Sequence, residues 1–402
     1  MIEKVPDSDY QAVQHFITHS PWEYKPVIEQ VAADADRMLG GSAESGLFID
    51  ESSMPKKGKK SVGVARQWCG RLGKVENCQT GVFAALNKGA YSCIIDTRLY
   101  LPSEWTDDSD RCEAAGVPDD VVFKTKSELA IEMVTSARKR GIGFSWVGVD
   151  SGYGKDTPFL YALDALGETF VADVAKDQSI YLEEPVPYLP EKISGRGRKP
   201  IRLTCDATRF RVDDWVAAQP QDAWQRVSFR DTTKGKRIAD FLVQRVWLWN
   251  GKDQSGYCFT LLVWRELGKT DCIKYTLTNA DSSSSLERLA FMQGQRYFVE
   301  RSFQDAKSYL GMGQYQVRSG QSWHHHMALV MMAMLFMMET RLEQHRNIEL
   351  LSIADIVALL AHYLPRRDLE EEELFRQMEL RHRQRQDSID SAYARQRARG
   401  LI

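Results

Sequence analysis

No two cysteines in this sequence stand at CxxC spacing. The seven are scattered as Cys69, Cys78, Cys93, Cys112, Cys205, Cys258 and Cys272. That pattern excludes a zinc ribbon, and the odd number fits a reducing cytoplasm rather than a disulfide framework. Neither charge sign is in excess: 53 basic residues face 55 acidic ones, for a net charge of -2. The sum therefore points to no partner, and local clusters must carry any electrostatic recognition. The longest apolar run, MALVMMAMLFMM from Met327 to Met338, falls short of the ~20 residues that a bilayer demands. The polar start MIEKVPDSDYQ has no apolar signal region. The expectation is a soluble cytoplasmic protein with no membrane partner. No internal repeat, low-complexity domain or helix-turn-helix stands out.

What is present is a large apolar complement, 43% of 402 residues, enough for a core divided among two or three domains. Residues 1–44 read as a helical region, with Ser20, Pro21 and Glu23 spaced as a capping box with proline in the first turn. Strand-like segments follow at 46–50, 61–69, 79–87 and 90–102, separated by the turn signals PKKGKK, GRLGKVEN and NKGA. A helix over 126–141, a strand over 144–150, a helix over 157–167 and a strand over 169–174 change hairpins into α/β alternation. The reading divides the chain into a helical region 1–44, the first part of an α/β core 45–178, and a β-rich insertion 179–283. The core resumes over 284–345 with one long helix, and a helical region fills 346–402.

Three acids stand out by position. Asp50 ends the apolar run GLFID, and Asp150 ends FSWVGVD just before the glycines of SGYGKD. A carboxylate at the end of a buried strand is costly unless paired or metal-bound. Taken singly, each is more simply an aspartate that starts a turn after a strand. The third, Glu300, lies on a helix in QGQRYFVERSFQDAKSYLG. At about 100° per residue, Arg296, Glu300 and Lys307 form one charged line. Val299, Phe303, Ala306 and Leu310 form an apolar stripe beside it, so the charged line borders the buried face. Asp50, Asp150 and Glu300 could converge as oxygen ligands for two Mg²⁺ ions, with Mn²⁺ able to substitute. The competing view of the helix is a plain i,i+4 ion pair.

Two basic runs suit DNA phosphates or, equally, solubilising loops: Lys56, Lys57, Lys59 and Lys60 in PKKGKK, and Arg196, Arg198 and Lys199 in SGRGRKP. The three histidines of WHHHM point about 100° apart on a helix and so suit packing better than a shared metal ion.

The stretches IDESSMPKKGKKSVGVARQWCGRLGKVENCQTGVFAAL, TRLYLPSEW, VGVDSGYG and VERSFQDAKSYLGM make the chain similar to bacterial insertion-sequence DDE transposases. It most resembles insertion-sequence family 701 within the YREK-type superfamily, and the similarity covers most of residues 20–385. The resemblance implies an α/β fold with an RNase H-like catalytic core interrupted by a β-rich insertion, flanked by helical N- and C-terminal regions. It implies Asp50, Asp150 and Glu300 as catalytic and metal-holding residues, and cut-and-paste transposition of double-stranded DNA by a two-metal endonuclease, with a homodimer assembled on transposon ends and target. Arg296, Glu300 and Lys307 match the group's Tyr-x2-Arg-x3-Glu-x6-Lys pattern, while the tyrosine position holds Gln293. Two other readings stay open at this point: a catalytically silent DNA-binding descendant of a transposase, and a stand-alone nuclease of the same fold.

Overall fold

The computed structural model describes residues 9–191, 200–232, 235–269, 273–344, 347–348, 351–364 and 370–398. They fall into two compact units, Met1–Ser20 with Val357–Ile402, and Pro21–Ile356. The smaller unit holds helix α1 (Tyr10–Thr18), whose N-cap Asp9 accepts from the Ala12 N–H at 2.7 Å, and a long polar helix, Glu371–Ala398.

The larger unit opens with α2 (Tyr24–Leu39), which starts later than the Ser20 capping box implies. No side chain caps it; instead Trp22 is docked, its ring 3.8 Å from that of His325 and its carbonyl bonded to the His325 Nε2. Tertiary packing thus holds the Pro21–Glu23 segment out of the helix.

Four strands follow. These are β1 (Gly46–Pro55), β2 (Ala65–Cys69), β3 (Lys74–Lys88) and β4 (Tyr91–Tyr100). All pair antiparallel, with β2 and β4 sharing one edge of β3 and β1 on the other. β1 continues well past Asp50, because Glu51 to Pro55 pair with Val82 to Cys78 on β3. Asp50 is therefore mid-strand rather than at a strand end.

After the short helices α3 (Ser103–Thr106) and α4 (Ser109–Ala114) comes α5 (Lys126–Lys139), held by a reciprocal capping box between Thr125 and Glu128. Its buried face, with Leu129, Ala130, Met133, Val134 and Ala137, covers the sheet. Strands β5 (Trp146–Val149) and β6 (Phe170–Val174) extend the sheet parallel to β1, joined by α6 (Ser151–Gly154) and α7 (Thr157–Ala165). These strands are almost wholly buried, as parallel strands covered on both faces must be.

The chain then forms β7 (Ser179–Tyr181), β8 (Arg209–Arg211), helix α8 (Val212–Ala217), and β9 (Gln225–Thr232), β10 (Gly235–Leu248), β11 (Tyr257–Glu266) and β12 (Ile273–Thr278). β12 pairs antiparallel with β6, so among the described residues one twelve-stranded sheet runs through both sets of strands. The one long helix expected where the core resumes is two: α9 (Leu286–Gly294) and α10 (Arg296–Tyr309). At the junction the Gln295 N–H is shared between the Phe291 and Met292 carbonyls, and the turn tightens. Helix α11 (Gly320–Gln344) carries the long apolar run and is largely buried. Among the described residues no helix is long and apolar enough to cross a membrane.

Candidate active site

Parallel pairing decides where two of the acids fall. Ile49 pairs with Val149, and the next residues along these adjacent strands are Asp50 and Asp150. Neighbouring strands lie ~4.8 Å apart, so the two carboxylates leave the sheet side by side. Asp150 sits where β5 passes into α6, and its Oδ1 accepts the N–H groups of Gly152 at 2.9 Å and Tyr153 at 3.3 Å. Those bonds fix the side chain as the helix cap. Asp50 accepts the Glu51 N–H at 2.7 Å.

Glu300 comes from α10, whose Val299, Phe303 and Ala306 are buried as the apolar stripe requires. Phe303 packs edge-on against Phe83 of β3 with ring centroids 5.6 Å apart, which docks the helix on the sheet. Glu300 sits beyond that contact, its side chain 55% exposed, and binds Arg296 at 3.1 Å. Arg296 also reaches Asp173 of β6 at 2.6 Å.

The electrostatics join these groups into one centre. Asp50 is pushed up to about 7, first by burial and then by the charge of Asp150, with Glu300 adding to it; Arg296 and the Glu51 N–H oppose the rise. Burial acts to lower Arg296, but Asp173, Asp50, Glu300 and Asp150 outweigh it and hold the guanidinium charged. Lys307 is lowered by burial, with Asp50 opposing. Four carboxylates thus converge on one arginine, leaving negative charge in excess.

A buried carboxylate raised to about 7 beside a second one is a donor set short of a cation. The buried Tyr153 hydroxyl lies in the field of Glu51, Asp50 and Asp150 and has no hydrogen-bond partner among the described residues. Both observations fit a divalent metal ion. Among the described residues, however, no three His, Cys, Asp or Glu side chains are already drawn together as a metal cage. Glu300 is turned toward Arg296 instead.

The basic run PKKGKK begins at Lys56, right after β1 ends, about 20 Å along an extended strand from Asp50. Arg196, Arg198 and Lys199 lie outside the described residues. The histidines behave as packing groups. His325 is fully buried against Trp22, His324 stacks on Tyr24 at 4.4 Å, and His326 bonds the Gly311 carbonyl at 3.0 Å. Trp249 donates to the Asp253 carbonyl at 2.9 Å and steadies the β10–β11 turn.

Sequence reasoning missed Asp173 and Tyr153. Asp173 reads as a solvent-facing position of an alternating strand, and Tyr153 as one aromatic in a loop. A cleft of about 270 Å³ beside Glu300 went unread too; it is lined by Asp173, Arg230, Trp264, Tyr297 and Gln293 among others. Arg230 lies 3.7 Å from the Tyr297 ring centroid, and the buried Gln293 Oε1 has no partner.

Comparison with known proteins gives the family. A family model described as DDE superfamily endonuclease matches residues 1–236, more than half of the chain. The chain belongs to the DDE endonuclease superfamily. The matched span includes Asp50 and Asp150 and stops before Glu300. The chain is also 25% identical over 264 residues to a protein of Microchaete diplosiphon described as "Probable transposase for insertion sequence element IS701". That match covers 61% of this chain and 66% of the relative. The likeness to insertion-sequence DDE transposases noted in the sequence is thereby upheld.

Proposed function

We propose that this DDE endonuclease is a DNA transposase that cleaves transposon ends and joins the freed 3′-hydroxyl to target DNA. The observation that carries this reading is the placement of Asp50 and Asp150 at the same step of adjacent strands, where burial and the Asp150 charge push the Asp50 carboxyl up. Strands β1, β3 and β4 form an antiparallel set, followed by helix, strand, helix, strand and a late helix. That order supports an RNase H-like core, with 179–283 as its β-rich insertion.

In this reading Asp50 and Asp150 hold divalent metal, with Glu300 as the third carboxylate. Bound Mg²⁺ would activate an attacking oxygen and stabilise the leaving one at phosphorus. The chain's own residues set the stage. The Gly152 and Tyr153 N–H groups fix the Asp150 carboxylate. Arg296 spans Asp173 and Glu300 and so locates Glu300 relative to β6. Lys307, on the same helix face, receives DNA phosphate. Two ends must be processed together, so the working species is a homodimer on DNA.

The test is incubation of the purified protein with DNA carrying the flanking repeats, with and without Mg²⁺, and mapping of every new end. Metal-dependent 3′ ends at the repeat boundary, together with joined products, are the expected result. Nicks without joining would reduce the protein to a nuclease, and binding without cleavage would reduce it to a DNA-binding protein.

A further inference from the structure

A cleft of about 550 Å³ lies at the far end of β1, and its charged lining is of one sign. Lys56, Lys57, Arg71 and Arg318 face it together with Tyr315, and no carboxylate does. Two other clefts of this unit differ. In one Lys124 meets Glu132 at 2.6 Å, and in the other Arg296 meets Asp173. Among the described residues none of the four cations makes an ion pair.

The four come from three segments, around Lys56 and Lys57, Arg71 and Arg318, and hydrogen bonds hold the first and last in place. The Asn77 Nδ2 donates to the carbonyls of Lys56 at 2.7 Å and Gly58 at 2.8 Å. Arg111 donates to the Lys59 carbonyl at 3.1 Å, and the Val62 N–H to the Arg318 carbonyl at 2.9 Å. The Lys56 Nζ lies 4.1 Å from the Tyr315 ring centroid. A loop that merely keeps a protein soluble needs no such fixing. Like charges held together repel, and a polyanion removes that cost.

The cations also lead to the carboxylates. Lys307 stands within the field of both Asp50 and Arg71. From Asp50 to Lys56 is about 20 Å of extended strand, the length of about six base steps at 3.4 Å each.

We propose that this cleft is a track for the sugar–phosphate backbone of duplex DNA, in which Lys57, Arg71 and Arg318 hold phosphates about half a helical turn from the bond placed at Asp50 and Asp150. The proposal rests on the transposase reading and adds to it where the flanking duplex lies. Contacts of this kind set position and carry no base sequence.

The experiment is fluorescence anisotropy of a labelled duplex with the full chain across a salt series. Each phosphate contact contributes about 0.9 to the slope of log K against log salt, so Arg71→Gln/Arg318→Gln should lower that slope by about two. Binding near 0.1 M salt should weaken at least ~10-fold, equally for repeat-bearing and random duplexes. Lys88→Gln, at the opposite end of β3 from the cleft, should change neither quantity. If the double variant melts lower than wild type, the exposed Lys57→Gln carries the same test, with a slope lowered by about one. A slope unchanged in these variants, beside a wild type that binds, would overturn the track alone, as would a loss confined to repeat-bearing DNA. A wild type that binds no DNA would overturn the transposase reading and the track together.

Discussion

Asp50 and Asp150 occupy the same step of two neighbouring parallel strands, one residue past the pair Ile49 and Val149. Strand spacing alone forces the two carboxylates together, and burial raises Asp50 to about 7. Such a pair costs stability in the metal-free protein. Asp50→Asn keeps the shape and removes a charge, so in chelator at neutral pH the variant should melt no lower than wild type. Added Mg²⁺ should raise the wild-type midpoint and leave the variant's unchanged. A variant that melts well below wild type in chelator would show that Asp50 is a structural bond, not a strained ligand.

Much of this centre was legible because local rules agree with the fold there. Asp50 and Asp150 each follow an apolar run, and the α10 stripe of Val299, Phe303 and Ala306 keeps a 3.6-residue period. The limits of β1 were not legible, since the polar Glu51, Ser52 and Ser53 give no strand signal and only pairing with β3 holds them extended. Asp173 was hidden because its role depends on Arg296, distant in sequence and adjacent only after β6 and α10 meet. The break at Gln295 depends on its surroundings, where a side chain at Gly294 would meet Phe229 at 2.8 Å.

Arg296→Ala removes the cation shared by Asp173 and Glu300. The remaining carboxylates then repel without relief, so the variant should lose roughly 2–3 kcal/mol of stability as well as cleavage. Arg296→Lys restores charge but not the planar fork, and should recover stability more than activity. Calorimetry of both variants, beside a cleavage gel, checks this; an Ala variant as stable as wild type would make the pair a solvated surface contact.

His324 provides a pH signature away from the carboxylates. Burial lowers it from 6.5 to about 4, with Arg98, His325 and Lys25 adding to the drop and the Gly320 carbonyl opposing. The unfolded chain binds a proton here more readily than the folded one. The resulting stability is complete above about 6.5 and is lost as pH falls toward about 4. His324→Asn, which retains a donor for the Gly320 carbonyl, should remove about 1–2 kcal/mol of that dependence. Urea midpoints of the two proteins at several pH values give the difference, and parallel pH curves would refute it.

Gly154→Ala tests how α6 is seated. A Cβ there would lie 1.9 Å from the Asp173 carbonyl oxygen, so helix and β6 must separate. Stability should fall by about 1–3 kcal/mol. Cleavage should fall too, although no charged group is removed, because α6 positions Asp150 and β6 positions Asp173. Unchanged melting with normal cleavage would show that the contact tolerates a methyl group.

Glu300→Gln separates catalysis from every other role of α10. The amide keeps the shape of the side chain but cannot supply the negative charge that a divalent metal needs, and the loss of several kcal/mol in the transition state is a factor of ~100 or more in cleavage rate. Folding should survive, since Val299, Phe303 and Ala306 still fill the buried face. DNA binding should survive as well and could only tighten, because cations supply the affinity and one anion has gone. Arg296 keeps Asp173, so the lost ion pair with a half-exposed Glu300 costs a few tenths of a kcal/mol at most. The three quantities are read from one preparation: a melting curve, a gel shift on repeat-bearing DNA, and Mg²⁺-dependent cleavage of that DNA. Normal binding with cleavage near the wild-type rate would remove Glu300 from the catalytic set and leave it as the partner of Arg296.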